Sequence, residues 1–335
     1  MNRYDRQIKY PAFGLKTQNK LQQLHVLIVG VGALGSGIAE QLARCGVGKL
    51  TLIDKDIVTF SNLHRQSGYI EEDAKEMRPK VSALKMRLHA MNHEVNIIPL
   101  NVEVTSENIL CLMKETQPDM VLDGLDDYAT RFLVNEATQY LNIPYIYSAI
   151  IGSQVSVFPI DAHGPCLQCL MPEPPETYES CSIHGVLPPA VHIASSMAVA
   201  ELMHYLMTGT FTYTMKYVDI YKGTMKTTSI LELKEPTCPV CSARHFTRLM
   251  HAKKTRMEVL CGGVIQIRFD AKDFQRHLSP NIHIIQQNPF VKQLKFEQYT
   301  MTFFQDGRLL IYGCTDKQEA AHLTQFIFKS SHNAS

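Results

Sequence analysis

Several features that would assign this chain to a membrane, a secreted scaffold or a nucleic-acid binder are missing. No uninterrupted apolar run approaches the roughly 20 residues that cross a bilayer, and no basic-plus-apolar leader opens the sequence. Net charge is scarce: 33 Lys and Arg against 32 Asp and Glu leave +1, which provides no overall electrostatic pull toward nucleic acid. There is neither an internal repeat nor a long low-complexity tract. The expected setting is cytoplasmic, with no membrane and no nucleic acid as partner. Nine cysteines are present, but without a secretory leader they read as thiols of a reducing compartment rather than as disulfides. The 335 residues leave room for one large α/β domain and a small appendage.

What is present begins with glycine. The apolar run His25-Val26-Leu27-Ile28-Val29 leads into Gly30-Val31-Gly32-Ala33-Leu34-Gly35, and a second apolar run, Lys49 to Ile53, ends on Asp54. That is the pattern of a nucleotide-binding βαβ unit. Gly30 allows a sharp turn, Gly32 lets backbone N–H groups approach phosphate, Gly35 lets the helix close on the strand, and Asp54 stands where an acid meets ribose hydroxyls. The phosphates belong at the helix N-terminus. A dehydrogenase would share all of this. Beyond Asp54, however, the chain continues into a polar, cationic loop with Asn62, Arg65 and Gln66, and Lys80 follows after Pro79. These donors and charges suit a triphosphate better than the pyrophosphate of a hydride carrier. ATP is therefore the expected nucleotide, and an NAD(P)-dependent oxidoreductase is the alternative of another class. A degenerate nucleotide-binding scaffold is a third.

Strands are expected near 25–30, 49–54, 95–100, 119–124 and 144–150, and helices near 35–45, 80–91, 106–116 and 129–141, the alternation of a mostly parallel, helix-covered sheet. After residue 151 the order changes. Residues 154–159 read as another strand, 165–189 as a Pro- and Cys-rich loop, 190–208 as a helix, and 216–222 and 227–234 as antiparallel strands. A tail from 258 reads strand, helix, strand, strand, helix over 264–268, 272–277, 298–304, 308–312 and 318–328, with Asp306-Gly307 as a hairpin turn. The expected fold is thus α/β, Rossmann-like, with an antiparallel extension over residues 1–244 and a small C-terminal α+β module over 258–330.

Cys166-Leu167-Gln168-Cys169 and Cys238-Pro239-Val240-Cys241 supply four thiolates, the number for a closed tetrahedral zinc site. Such a site clips the chain together and leaves no open position for catalysis. Cys45, Cys111, Cys261 and Cys314 read as packing residues.

The whole set resembles the MoeB/ThiF family of ubiquitin-activating-enzyme-like adenylyltransferases over residues 3 to 242. Its marks are Arg3-Tyr4-Asp5-Arg6-Gln7-Ile8, Gly30 to Gly35, Leu52-Ile53-Asp54-Lys55-Asp56, Ser61-Asn62-Leu63-His64-Arg65-Gln66, Pro79-Lys80, the Asp126 segment and the two cysteine pairs. The resemblance implies adenylation of the C-terminal glycine of a small sulfur-carrier protein, with the molybdopterin synthase small subunit favoured over the thiazole-pathway carrier. It further implies ATP on Gly30, Gly32, Gly35, Asp54, Asp56, Asn62, Arg65, Gln66 and Lys80, and Mg²⁺ on Asp126. Arg6 would act across a homodimer, and Cys181 is a possible sulfur-transfer thiol. The chain departs from the commoner pattern at Asp127, where Asn is usual; the extra carboxylate would either strengthen metal binding or cap the helix that starts near Ala129, and the cap is favoured.

Overall fold

The computed structural model describes residues 3–172, 185–250, 257–260, 264–314 and 316–328. The chain divides into two compact units, 1–252 and 253–335. The first is built on an eight-stranded sheet: β1 (His25–Val29), β2 (Lys49–Ile53), β3 (Asn96–Leu100), β4 (Met120–Asp123), β5 (Tyr145–Ile151), β6 (Gln154–Ile160), β7 (Thr214–Asp219) and β8 (Thr224–Ser229), in the order β3-β2-β1-β4-β5-β6-β7-β8. From β3 to β5 the neighbours pair in parallel. β6, β7 and β8 then add on antiparallel.

β1 and β4 lie at the centre and are buried along their whole length, which is why both are continuous apolar runs rather than alternating ones. Successive side chains nonetheless face opposite ways. Val26 and Ile28 join one core layer with Ile38, Leu42, Leu84, Val191 and Leu202. Leu27 and Val29 join the other with Met113, Phe132 and Val134. The helices of the first layer are α3 (Ala33–Cys45), α5 (Lys80–Met91) and α9 (Pro188–Thr208); those of the second are α6 (Ile109–Thr116) and α7 (Tyr128–Leu141). The other helices among the described residues of this unit are α1 (Asp5–Ile8), α2 (Gly14–Gln23), α4 (Glu71–Lys75), α8 (Leu167–Leu170) and α10 (Thr247–Met250). The N-terminal segment is anchored by Tyr4, whose hydroxyl donates to Glu94 and accepts from Asn92.

The expected strands 216–222 and 227–234 sit a few residues earlier, at Thr214–Asp219 and Thr224–Ser229, and Leu231–Leu233 forms a 3-10 turn instead. Cys111 is exposed on α6 and bonds Glu115, so it is not a packing residue. Cys314 is buried.

The second unit holds six antiparallel strands: β9 (Met257–Leu260), β10 (Val264–Arg268), β11 (His283–Gln287), β12 (Val291–Phe296), β13 (Tyr299–Phe304) and β14 (Arg308–Tyr312), in the order β11-β12-β13-β14-β10-β9, followed by α11 (Lys317–Thr324). Three of these strands have no counterpart in the sequence reading. Every residue of β11 is exposed, so it carries no buried-face alternation to recognise. In β12 the buried Val291, Leu294 and Phe296 are separated by lysines and Gln293, which breaks the period of two. β9 is an edge strand of four residues. The expected helix 272–277 is a 3-10 stretch, Ala271–Gln275, ended where Arg276 turns extended. Gly307 does take the left-handed conformation its turn requires, at φ 91°.

Candidate active site

The chain order reverses beside β1, whose neighbours β2 and β4 lead away in opposite directions, and a ligand crevice belongs outside the carboxyl ends there. A cleft opens at that point, lined by the ends of β1, β2 and β4, the start of α3 and the loop before α4. Three glycines shape its floor. Gly30 adopts φ 81°. A Cβ on Gly35 would stand 1.9 Å from the Gly30 carbonyl oxygen, and one on Gly124 would stand 2.0 Å from the same atom. The turn after β1, the first turn of α3 and the turn after β4 therefore meet backbone to backbone. At the start of α3, the 13-residue helix behind Gly32, the first N–H groups have no intrahelical acceptor.

Val31, between the two loop glycines, is held at both ends of its peptide. Its N–H donates to Asp54 Oδ2 at 2.8 Å, and its carbonyl accepts from the buried Tyr69 hydroxyl at 2.5 Å. Asp54 also accepts from the Asp56 N–H at 2.8 Å. A carboxylate oxygen has more than one lone pair, so these bonds leave acceptor capacity for a ribose hydroxyl. Tyr69→Phe should loosen the loop by about 1 kcal/mol, the net worth of a hydrogen bond, and raise KM for ATP roughly fivefold at little change in kcat. Nucleotide titration and steady-state kinetics would check this; an unchanged KM would show that the loop is held without Tyr69.

The charges in the cleft are graded. Lys80, buried at the start of α5, reaches Asp56 at 3.2 Å. Burial works against its ammonium, yet Asp54, Asp56 and Asp126 together hold its pKa above the usual lysine value, so it stays a cation. Burial raises the Asp54 pKa, opposed by Lys80. Arg65 and the buried Gln66 line the same wall. Gln66 Oε1 has no hydrogen-bond partner among the described residues, a polar atom available to a ligand. On the far side stand Asp126, exposed to the cleft, and Asp127, whose carboxylate accepts from the Thr130 N–H at 2.7 Å and caps α7 as the sequence reading expects.

Gly30, Gly32, Asp54, Asp56, Arg65, Gln66, Lys80 and Asp126 thus come together around one cleft. Gly35 lies behind it as a packing residue. Asn62 is not among the lining residues; its side-chain oxygen accepts from the Thr59 hydroxyl at 2.7 Å. Arg6 is exposed on α1 and does not line the cleft of its own chain. Cys181 lies outside the described residues. Tyr69 and Gly124 shape the cleft without having been singled out in the sequence, because each meets its partner across the chain and neither belongs to a recognisable spacing.

Away from the cleft, the sulfur atoms of Cys166, Cys169, Cys238 and Cys241 all lie within 4.8 Å of one another. The closest approaches are 3.4, 3.6 and 3.9 Å. Tetrahedral Zn–S bonds of about 2.3 Å place ligand sulfurs about 3.8 Å apart, so this donor set fits zinc. Hydrogen bonding among the crowded thiols raises the Cys166 pKa and lowers that of Cys241. The neighbourhood is built from α7: the Asn135 side chain accepts from the Leu167 N–H at 2.9 Å, and Glu136 accepts from the N–H groups of Arg248 and Leu249.

The profile of the ThiF family matches residues 4–240 of this chain. The chain belongs to the ThiF family. The sulfur carrier protein ThiS adenylyltransferase of Bacillus subtilis is 32% identical to this ThiF-family chain over 322 residues, covering 94% of this chain and 95% of that one. The sulfur carrier protein adenylyltransferase of Thermus thermophilus is 34% identical over 250 residues, 72% of this chain and 90% of that one. The adenylyltransferase and sulfurtransferase MOCS3 of Caenorhabditis briggsae is 34% identical over 245 residues, and the match takes in only 60% of its length. Among solved structures, Escherichia coli MccB in complex with ATP superposes with a TM-score of 0.61 at 21% identity, over 72% of this chain and 74% of that one, a likeness of fold. With these relatives and this cleft, the ThiF-family chain is an adenylyltransferase.

Proposed function

We propose that the enzyme uses ATP to adenylate the C-terminal glycine of a ThiS-type sulfur carrier, releasing pyrophosphate. The observation that carries the carrier assignment is coverage. The relative matched across both units is named for ThiS, whereas the Thermus and Caenorhabditis matches take in 72% and 71% of this chain. The molybdopterin synthase small subunit, favoured on sequence, becomes the second reading. Oxidoreduction has no support: Lys80 and Arg65 add cations beyond what a pyrophosphate needs, and no relative named above is an oxidoreductase.

In the proposed reaction a carboxylate oxygen of the carrier attacks the α-phosphorus of ATP. The bond to the β-phosphate bridging oxygen breaks, and pyrophosphate leaves with that electron pair. Two anions must approach and a third must depart, so positioning and charge neutralisation carry the catalysis. The N–H groups opening α3 receive phosphate oxygens, Lys80 and Arg65 neutralise the transferring and departing groups, and Asp54 orients the ribose. Asp126 presents free carboxylate oxygens to the cleft: no hydrogen bond takes them up among the described residues, and an oxygen-only donor set suits a hard cation. A Mg²⁺ held there with retained waters would neutralise phosphate charge. No protein nucleophile is required.

Carrier choice is tested by ATP–pyrophosphate exchange with each carrier supplied separately. A ThiS-type carrier should support exchange at a kcat/KM at least about tenfold above that with a MoaD-type carrier, a discrimination of about 1.4 kcal/mol. The reverse preference would return the assignment to molybdopterin synthesis.

The exposure of Arg6 supports a role across a homodimer with two-fold symmetry. Mixing Arg6→Ala chains with Asp126→Ala chains, after subunit exchange has been demonstrated, should restore exchange in the heterodimers. There, one of the two sites has both groups intact. Exchange of subunits without recovery would exclude action in trans.

A further inference from the structure

Beneath Asp126 lies a buried ion pair that the reaction as derived does not use. Asp123, at the end of β4, is fully buried, and Arg131, one turn into α7, is 5% exposed. The Arg131 Nε donates to Asp123 Oδ2 at 3.1 Å, and the Tyr145 hydroxyl donates to the same oxygen at 2.6 Å. The other carboxylate oxygen, Oδ1, accepts from the Leu125 N–H at 2.8 Å. The guanidinium Nη2 then donates to the Leu125 carbonyl at 2.6 Å and to the Ser148 carbonyl at 3.0 Å. The guanidinium carbon stands 5.2 Å from the Tyr147 ring centroid and 5.6 Å from that of Tyr128.

The bland account of this cluster is an ion pair joining α7 to β4 and β5. Stability alone does not ask for one, because well-packed apolar side chains do as well or better in such a place. An apolar pair, however, cannot grip a peptide unit. Here the N–H of Leu125 is held by Asp123 and its C=O by Arg131, so the residue immediately before Asp126 is held on both sides. Gly124, the residue before that, abuts the Gly30 carbonyl so closely that a Cβ would not fit. The turn 124–126 is therefore fixed both to the phosphate loop and to the protein interior. Asp126 itself makes no hydrogen bond of its own among the described residues, so its placement depends on that turn.

We propose that Arg131 and Asp123 are positioning residues for Asp126. They hold its carboxylate where it meets the cation that accompanies the nucleotide, and they set how much of that cation the enzyme needs. This rests on the reading of Asp126 as the cation ligand. Arg131 suits the task because its planar fork serves Asp123 and two carbonyls at once, which a lysine ammonium does not.

Three variants test the proposal, assayed by carrier-dependent ATP–pyrophosphate exchange over a Mg²⁺ titration and by calorimetric titration of Mg²⁺ into the ATP-bound protein, whose dissociation constant should rise in step with the requirement, with circular dichroism and thermal melting as controls. Arg131→Lys keeps a cation for Asp123 but gives up the grip on the Leu125 carbonyl. The double variant Asp123→Asn/Arg131→Gln removes both charges together. Both should fold and keep KM for ATP within about threefold, while the half-saturating Mg²⁺ concentration rises at least about tenfold and kcat falls. Tyr145→Phe, which loosens only Asp123, should shift the Mg²⁺ requirement by about two- to threefold in the same direction, and it decides the matter if the other two do not fold. An unchanged Mg²⁺ requirement in the folded variants would overturn the proposal, as would a rise in KM for ATP with no change in that requirement. Asp126→Asn separates the two levels. If it retains ordinary Mg²⁺-dependent exchange, the ligand reading itself fails. If it is inactive while the Arg131 variants keep the normal requirement, only the positioning role is lost.

Discussion

Asp126→Ala is expected to lower carrier-dependent ATP–pyrophosphate exchange by at least about 10²-fold, the usual cost of deleting a group aimed at transition-state charge. The fold should remain. Asp126 is exposed to the cleft, makes no hydrogen bond or close ion pair among the described residues, and sits outside both core layers, and the buried Lys80 keeps Asp56 as its partner when Asp126 is removed. The loss should fall mainly on kcat, because Lys80, Arg65 and the α3 N-terminus still offer the triphosphate a binding surface. There is a second consequence for charge. Asp126 is one of three carboxylates that raise the Lys80 pKa; Asp54 and Asp56 precede it in effect and remain. Lys80 thus stays protonated in the variant, and the loss cannot be assigned to its neutralisation. A folded Asp126→Ala protein with near-normal exchange would remove Asp126 from the reaction and with it the cation assignment.

Much of this site was legible from residue order because its parts are local. Gly30, Gly32 and Gly35 lie within six residues of one another, and their spacing reports a backbone geometry directly. Lys80 was legible from its type and its company: a compact cation after Pro79, beyond the Asn62-Arg65-Gln66 loop, suits a phosphate. Gly124 was not legible. Its need for glycine arises from the Gly30 carbonyl, more than 90 residues earlier, and no spacing within β4 or its turn announces that approach. The same holds for Tyr69, which reads as one more apolar residue until its hydroxyl is found on the Val31 carbonyl. Asn62 shows the converse. Its motif context places it with Arg65 and Gln66, yet its side chain is taken up locally by Thr59.

In the first sheet the parallel strands were recognised, the edge strand β3 included, whereas three strands of the second unit were not. β1 and β4 are buried on both faces and show as unbroken apolar runs. β11, exposed throughout, β12, interrupted by Lys292, Gln293 and Lys295, and the four-residue β9 are half of the second unit's six strands, and none of them gives the sequence a period.

The other large effect concerns the cysteine cluster. Metal analysis of the purified protein should find about one zinc per chain, and removing it with a chelator, or replacing Cys238 by Ser, should lower the melting temperature by well over 10 °C or leave the protein insoluble. The expected size follows from linkage. A metal that binds the folded but not the unfolded chain adds its binding energy to folding, and structural zinc in small domains contributes of order 10 kcal/mol, more than many domains possess in total. The position of the cluster makes that energy matter. Cys166 and Cys169 follow β6, Cys238 and Cys241 follow β8, and the intervening chain includes α9 and the β7–β8 hairpin, so the clip ties together segments about 70 residues apart. Cys166 and Cys238 are also buried in the second core layer, beside Leu167, Val240 and Phe246. Without a cation to share, the four sulfurs cannot all be thiolates at such separations, and the buried ones must take up protons in an apolar setting. The Cys111→Ser variant is the control: Cys111 is exposed and remote in sequence from both pairs, and its loss should move the melting temperature by no more than about 2 °C. A preparation free of zinc that melts at the same temperature as the loaded protein would reduce the four cysteines to core thiols that happen to meet.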